Sequence, residues 1–548
     1  GISSGSRQER TFVFPFNQQW GEGCVDHLVG DFAFAIYDSK IRRLFFARDH
    51  LGLRPFYYYQ SGPLLAFASS ARAVAAVSLV PARLDEGRVA DYLVPELEGI
   101  NKTCTFFEQV HRLPPAHCGT FKNNNLSIRR YWRPDVHREL RLSSDNEYVD
   151  ALQELLSKAV TDRLRCNGQA ASMLSGGVDS STIVGLARDH LKRSGGPEFR
   201  TFSAASDAPG SLETKFIRQV VEQGNVQAVL IGTEQVESQR LHLEQVFRRL
   251  EDPFDGFMVM QMMLYLMASE HGNKVLLDGI DGDIVASLSQ YYPAWLLNQR
   301  DWRLAFRETN GSWRNFRSSQ KQRYQTFWEM LVFFVISGIN RTGPYRRYSG
   351  WRTAQRLNRS MLSETFANRA QLLARQLEYQ EHCKYKLPAG LRASHAVRLD
   401  SAYITAGIER YGRVAAVCGV ENRSPLLDKR VVEFCLAMPW QQKVRNGWSK
   451  YALRELAKRV VPATVALRND YDHLGWGFTR QWMGLLKPEF QRMFTSVENP
   501  LSGYLRREKY EALAEEAHSA GSTDGSADLW RAVNLVLWLE QLALPGKS

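Results

Sequence analysis

The hydrophobic pattern changes character once along the chain. From about residue 11 to 120 the apolar residues come in short aromatic and β-branched runs, at 32–38, 43–47 and 55–59. Turn signals at Asp49-His50-Leu51-Gly52 and Gln60-Ser61-Gly62-Pro63 separate them. Runs of that length and composition predict strands and hairpins, so this part reads as β-rich. The polar stretch 122–146, with Asn123-Asn124-Asn125 and Trp132-Arg133-Pro134, reads as a linker. Beyond it Ser144 or Asp145 caps a helix whose face carries Val149, Leu152, Leu155, Leu156, Ala159 and Val160. An alternation follows: strand 170–174, helix 181–191, strand 199–203, helix 212–222, strand 227–231, a long helical region, and strand 274–277. Strands alternating with helices at this spacing predict a parallel sheet with helices on both faces, which binds ligands beyond the carboxyl ends of its strands. Residues 290–470 read as mostly helical. Within them the apolar run 327–339 contains Glu329 and is too short for a membrane span of about 20 residues, so it reads as a buried helix. The Gly/Ser/Ala-rich stretch 517–528 reads as a flexible loop. No internal repeat is visible.

Composition narrows the class. In 548 residues, 44% are hydrophobic and 23% charged, which excludes wholesale disorder, collagen and coiled coil and allows two large domains. The net charge of +12 points to an anionic partner without choosing among nucleotide, nucleic acid, membrane surface and acidic peptide. Seven cysteines form no CxxC pair and read as reduced core residues of a cytoplasmic protein. There is no secretory signal, and residues 1–6 read as a processing scar or the edge of a truncation.

The most informative segment is Leu174-Ser175-Gly176-Gly177-Val178-Asp179-Ser180-Ser181, which follows an apolar strand and opens a helix. Two glycines let a polyphosphate approach the backbone. The hydroxyls of Ser175, Ser180 and Ser181 and the helix N-terminal amides can cradle pyrophosphate oxygens. Bare phosphate would repel Asp179, so its presence argues for a bridging Mg²⁺. No GxxxxGK[ST] occurs, so this is not the loop of phosphoryl-transfer nucleotidases.

This loop resembles the pyrophosphate loop of ATP pyrophosphatases, and nearly the whole chain resembles the asparagine synthetase family. The stretches 30–35, 47–58 and 67–70 are similar to its class II glutaminase-like domain. Glu421-Asn422-Arg423-Ser424-Pro425-Leu426-Leu427-Asp428 and Lys450-Tyr451-Ala452-Leu453-Arg454 are similar to its synthetase domain. The resemblance implies an incomplete N-terminal glutaminase-like (Ntn-type) β sandwich over 1–125. It also implies an α/β parallel-sheet ATP-pyrophosphatase domain with a helical C-terminal part over 145–548. It implies ATP and Mg²⁺, with Asp179 and Asp283 as metal ligands, Leu174, Ala204, Asp278 and Gly279 beside adenosine, Lys450 on the phosphates, and a less defined role for Glu213. The implied reaction activates a carboxylate as an acyl-adenylate, with release of pyrophosphate, for attack by an amine.

Three departures shape the expected substrate. A glutamine-dependent synthetase of this family needs an N-terminal nucleophilic cysteine, whereas this sequence starts at Gly1 and its first cysteine, Cys24, is internal. The expectation is therefore that a substrate's own amine serves as nucleophile, the alternative being that the full gene carries the cysteine. Ile280 stands where the family usually has Glu or Tyr, leaving Asp281 or Asp278 to take that part. Asp470 stands where the family has an oxyanion-stabilising lysine, leaving Arg468 or a shifted register to restore the charge. These changes, with a basic and aromatic region from Trp302 to Arg352, point to a macrocyclase of lasso peptide type. Such an enzyme joins an Asp or Glu side chain of a precursor peptide to the peptide's N-terminal amine. The family then implies a leader peptidase and a leader-binding protein as partners; no nucleic acid and no membrane span are expected. β-Lactam synthetase, asparagine synthetase and a nucleotide-binding scaffold are the alternatives.

Overall fold

The computed structural model describes residues 7–94, 97–206, 211–289, 292–316, 327–339, 343–358, 360–381, 390–470, 474–486, 501–509, 511–512 and 523–543. Residues 1–6, Cys383 and part of the 517–528 stretch lie outside these. The chain separates into two units. The first comprises residues 1–89, 99–135 and 400–409; the second comprises 90–98, 136–399 and 410–548.

The aromatic runs of the first unit form two antiparallel sheets. Strands β1 (Ala33–Asp38), β2 (Arg43–Arg48), β6 (His117–Lys122) and β7 (Asn125–Arg130) make one. The other has β3 (Tyr57–Ser61) between β4 (Leu64–Ala68) and β5 (His111–Arg112). Phe46 of β2 stacks on Phe56 at 4.9 Å, and Leu113 completes the buried cluster where the sheets face each other. Asp49 fixes the intervening turn by accepting from the amides of Gly52, Leu53 and Arg54 at 2.7–2.9 Å.

Two expectations fail in this unit. Residues 7–20 are a helix, Arg7–Trp20, despite Pro15, so the β-rich part begins only at Ala33. The polar stretch taken as linker contains β7, which pairs with β6 across Asn123 and Asn124. Both asparagines have positive φ (52° and 63°), the geometry of a tight hairpin turn that Asn tolerates. Asp400–Glu409 also joins this unit. The Glu409 carboxylate, wholly buried, binds Arg48 and Arg112 at 2.7 Å each and the Tyr57 hydroxyl at 2.8 Å.

The second unit is built on a five-stranded parallel sheet. Its order is β10 (Val226–Ile231), β9 (Phe199–Ala204), β8 (Ala170–Met173), β11 (Val275–Leu277), β12 (Glu421–Arg423). Asp145–Leu164, capped by Ser144, packs with Val178–Arg193 and Tyr451–Val460, while Val259–Glu270 packs on β9. This is the mixed α/β architecture expected of the synthetase half, with a largely helical C-terminal part.

Phe327–Ile339 is the expected helix, but it is not buried all round. Met330 and Phe334 face the core, whereas Trp328 is 67% and Val332 52% exposed. The end of the 517–528 stretch is not loop either, because Thr523 opens the helix Thr523–Ala543. Among the described residues no helix is long and apolar enough to cross a membrane. Cys24, Cys118, Cys418 and Cys435 are buried free thiols; Cys104 and Cys166 are partly exposed.

Candidate active site

Strand order brings the site together. From β8 the chain runs outward to β9 and β10 and then returns to place β11 on the other side of β8. The loops that leave β8 and β11 therefore open into one crevice at the carboxyl edge, the switch point where such sheets bind ligands. Each loop depends on glycine. Gly176 has φ +67°, and a Cβ there would lie 2.9 Å from Phe216 Cβ. A Cβ on Gly279 would lie 2.6 Å from Ser180 N, and one on Gly282 2.5 Å from Asp179 Cγ, so the two loops touch where no side chain fits.

The first loop is organised by its own serines. Ser175 N donates to Ser180 Oγ at 3.2 Å, and the two hydroxyls lie 3.0 Å apart. Gly177 caps the helix Val178–Arg193, so its first amides face the opening. Ser181 has no exposed surface, and its hydroxyl is buried without a hydrogen-bond partner. Leu174, the residue after β8, and Ala204, the last of β9, are buried walls. Asp278 is committed to the second loop: its carboxylate accepts from Ile280 N at 3.2 Å and Asn422 Nδ2 at 3.4 Å.

Charge concentrates between the loops. Lys450, left-handed at φ 58° before its helix, puts Nζ 2.5 Å from Asp179 Oδ2 and also against Asp283 Oδ1. Asp179 Oδ1 is buried and has no hydrogen-bond partner. Burial raises the Asp179 carboxyl, Lys450 opposing. Asp283 is open to solvent but ringed by protein; the penalty of that surrounding is outweighed by Lys450, which holds it low. The Lys450 ammonium is penalised by burial, yet the two carboxylates raise it overall. Asp281, at φ 60°, is pushed up to about 7 by burial and by Asp278 and Asp283. Arg468 braces the first loop by donating to Ser175 O at 3.1 Å and to the Asp470 backbone carbonyl, with Glu213 at 3.9 Å.

Mg²⁺ fits this donor set. The ion binds through one or two carboxylates plus substrate phosphates and keeps its waters otherwise. Asp179 and Asp283 supply the two carboxylates, and the orphaned Asp179 Oδ1 is a buried acceptor awaiting a cation. Sequence reasoning missed Arg398, which lies near enough to Asp281 and Asp283 to feel both charges and whose Nη1 is buried without a hydrogen-bond partner. No local motif marks it. Cys24 is buried, and its thiol is raised chiefly by that burial, the opposite of what a nucleophilic thiolate needs.

Comparison with known proteins gives the family. The signature of the asparagine synthase family matches residues 151–540, which include every residue of the crevice. The chain belongs to the asparagine synthase family. A glutamine amidotransferase domain signature matches residues 9–132. Among asparagine synthetase relatives, Asparagine synthetase [glutamine-hydrolyzing] 3 of Bacillus subtilis (strain 168) is 36% identical over 189 residues, covering 34% of this chain and 30% of the relative. Asparagine synthetase [glutamine-hydrolyzing] 1 of the same strain is 21% identical over 550 residues, covering 95% of this chain and 79% of the relative. Amidase chyE of Penicillium rubens is 29% identical, covering 33% of this chain and 26% of its own. The matches to B. subtilis synthetase 3 and amidase chyE thus span about a third or less of those relatives' length.

Proposed function

We propose that the protein is an ATP-dependent carbon–nitrogen ligase that forms an acyl-adenylate. A substrate carboxylate oxygen attacks the α-phosphorus of ATP, the α–β bond breaks, and pyrophosphate leaves. An amine then attacks the acyl carbon, AMP leaves, and the amine loses a proton. The observation that carries this reading is the Lys450–Asp179–Asp283 cluster at the mouth of the Ser175–Gly177 loop. In the proposed mechanism the loop amides and Lys450 bind the β- and γ-phosphates, and Arg468 holds the loop in shape. Mg²⁺ bound by Asp179 and Asp283 would offset charge on the leaving pyrophosphate. Asp281, which opens the short helix of the second loop beside Asp283, is the proposed base for the attacking amine.

The proposed substrate is a precursor peptide, closed into a ring by its own N-terminal amine in the manner of a lasso peptide macrocyclase. Exposed apolar side chains support a substrate larger than an amino acid: Trp302, Phe306, Trp328, Val332, Val335, Tyr348 and Trp351 all present large apolar surface on the helices between 302 and 358. Ile280 offers no ionisable group where a small-molecule synthetase would use one. The test is mass spectrometry of a candidate precursor incubated with enzyme, ATP and Mg²⁺. Loss of one water with matching AMP and pyrophosphate supports the cyclase. Turnover of free aspartate with ammonia instead identifies an asparagine synthetase, and a cyclised amino-acid-like acid identifies a β-lactam synthetase.

A further inference from the structure

Lys450 reaches the phosphate loop from a very short hairpin, Val444–Arg445 with Trp448–Ser449, turning at Asn446 and Gly447 with φ 49° and 76°. Two-residue strands carry too few ladder bonds to hold a position by themselves. The helix Trp302–Phe316 supplies what they lack. Glu308, 1% exposed, accepts from Asn446 N–H at 3.1 Å through Oε1 and from Gly447 N–H at 2.9 Å through Oε2. Oε2 also accepts from the Tyr292 hydroxyl at 3.0 Å. Successive amides in a left-handed turn form a small anion-binding concavity, and Glu308 fills it. A carboxylate is costly to bury unless such donors meet it, so the arrangement is a built one.

The same helix face makes two more contacts. Gly311 lets the hairpin approach so closely that a Cβ there would lie 2.3 Å from Asn446 O. Asn315 donates from Nδ2 to Asn446 O at 3.0 Å, and its own carbonyl accepts from Asn469 Nδ2 at 2.5 Å, next to Arg468. Positions 308, 311 and 315 lie on one stripe of the helix. We propose that the helix Trp302–Phe316 positions both cations of the site, Glu308 acting on Lys450 through the hairpin and Asn315 on the segment that carries Arg468. This inference rests on the reading of the crevice as an ATP site and adds the element that sets its geometry.

The test is a double-substitution cycle on MgATP affinity, measured by calorimetry on the full chain as wild type, Glu308→Gln, Lys450→Met and the pair. Glu308→Gln keeps the size but turns one acceptor into a donor facing an N–H or hydroxyl. The single substitution should weaken MgATP about tenfold, the scale of a lost charge-assisted contact. In the Lys450→Met background it should add less than about twofold, because the two residues act as one unit. Amide exchange at Asn446 and Gly447 should speed up in Glu308→Gln. Equal losses in both backgrounds, or unchanged affinity in Glu308→Gln, overturn the positioning role while leaving the ATP site standing. A wild type that binds no MgATP overturns the ATP site and this inference together. If Glu308→Gln does not fold, Glu308→Asp takes its place in the cycle, its shorter arm slackening both contacts.

Discussion

Lys450 Nζ stands 2.5 Å from Asp179 Oδ2 and also touches Asp283, so one ammonium pairs with both carboxylates proposed to hold Mg²⁺. On that proposal cation and metal would compete for the same acids, and bound phosphate oxygens would draw the ammonium away. Lys450→Met should tighten binding of Mg²⁺ alone, while weakening MgATP by about tenfold and pyrophosphate release by a larger factor. Calorimetry with MgCl₂ and with MgATP checks the opposite signs; a variant that loses both sinks the competition.

Gly176 tests the loop itself. Gly176→Ala should cost about 1–3 kcal/mol, because alanine at φ +67° is strained and its Cβ would press on Phe216 Cβ and on the backbone at Ile217. Urea unfolding measures the loss, and MgATP binding should fall with it. An unchanged midpoint would mean that the loop relaxes freely.

Asp428 predicts an acid limit. It caps the helix Lys429–Ala437 and meets Arg163 at 2.7 Å and Arg430 at 2.8 Å. Burial opposes its charge, but Arg430 and Arg163 hold its carboxyl down to about 2. A depressed acid stabilises the fold above the ordinary carboxylate range and loses that contribution as pH falls from about 4 to about 2. Asp428→Asn should be less stable at pH 7 and show a shallower fall in urea midpoint over that window.

Lys443 predicts a second rise of stability with pH, in the alkaline range. It is buried, donating to Leu436 O at 3.0 Å and lying 3.1 Å from His395 Nδ1, and burial pushes it down to about 7. Between about pH 7 and 10 the unfolded chain holds a proton that the folded chain lacks, so this group makes stability rise with pH across that window. Lys443→Met should remove the rise, measured as the difference in urea midpoint between the two proteins at pH 7 and 9.5.

Much of this was legible in the sequence, for a physical reason. The aromatic runs of β1–β3 and the apolar strands β8–β11 carry burial in their composition, and the Ser-Gly-Gly loop carries its backbone conformation in its glycines. Elements whose stability comes from elsewhere were not legible. β12 is Glu-Asn-Arg, strand only because β11 lies beside it. β7 hides among polar residues, its turn made by two asparagines. Phe12, Phe14 and Phe16 suggest a strand, yet they lie on a helix. At the site, Asp179 was visible because a motif surrounds it; Glu308 and Arg398 act on partners far along the chain and have no local mark.

Glu409 carries a practical consequence. Its three partners, Arg48, Arg112 and Tyr57, all come from the first 112 residues, whereas it lies far downstream. A fragment ending near residue 135 would bury two guanidinium groups with no counter-anion, a loss of several kcal/mol. Such a fragment should be insoluble alone and rescued by supplying the missing decapeptide in trans. The first unit is thus not a continuous module: a late stitch, Asp400–Glu409, ties it shut.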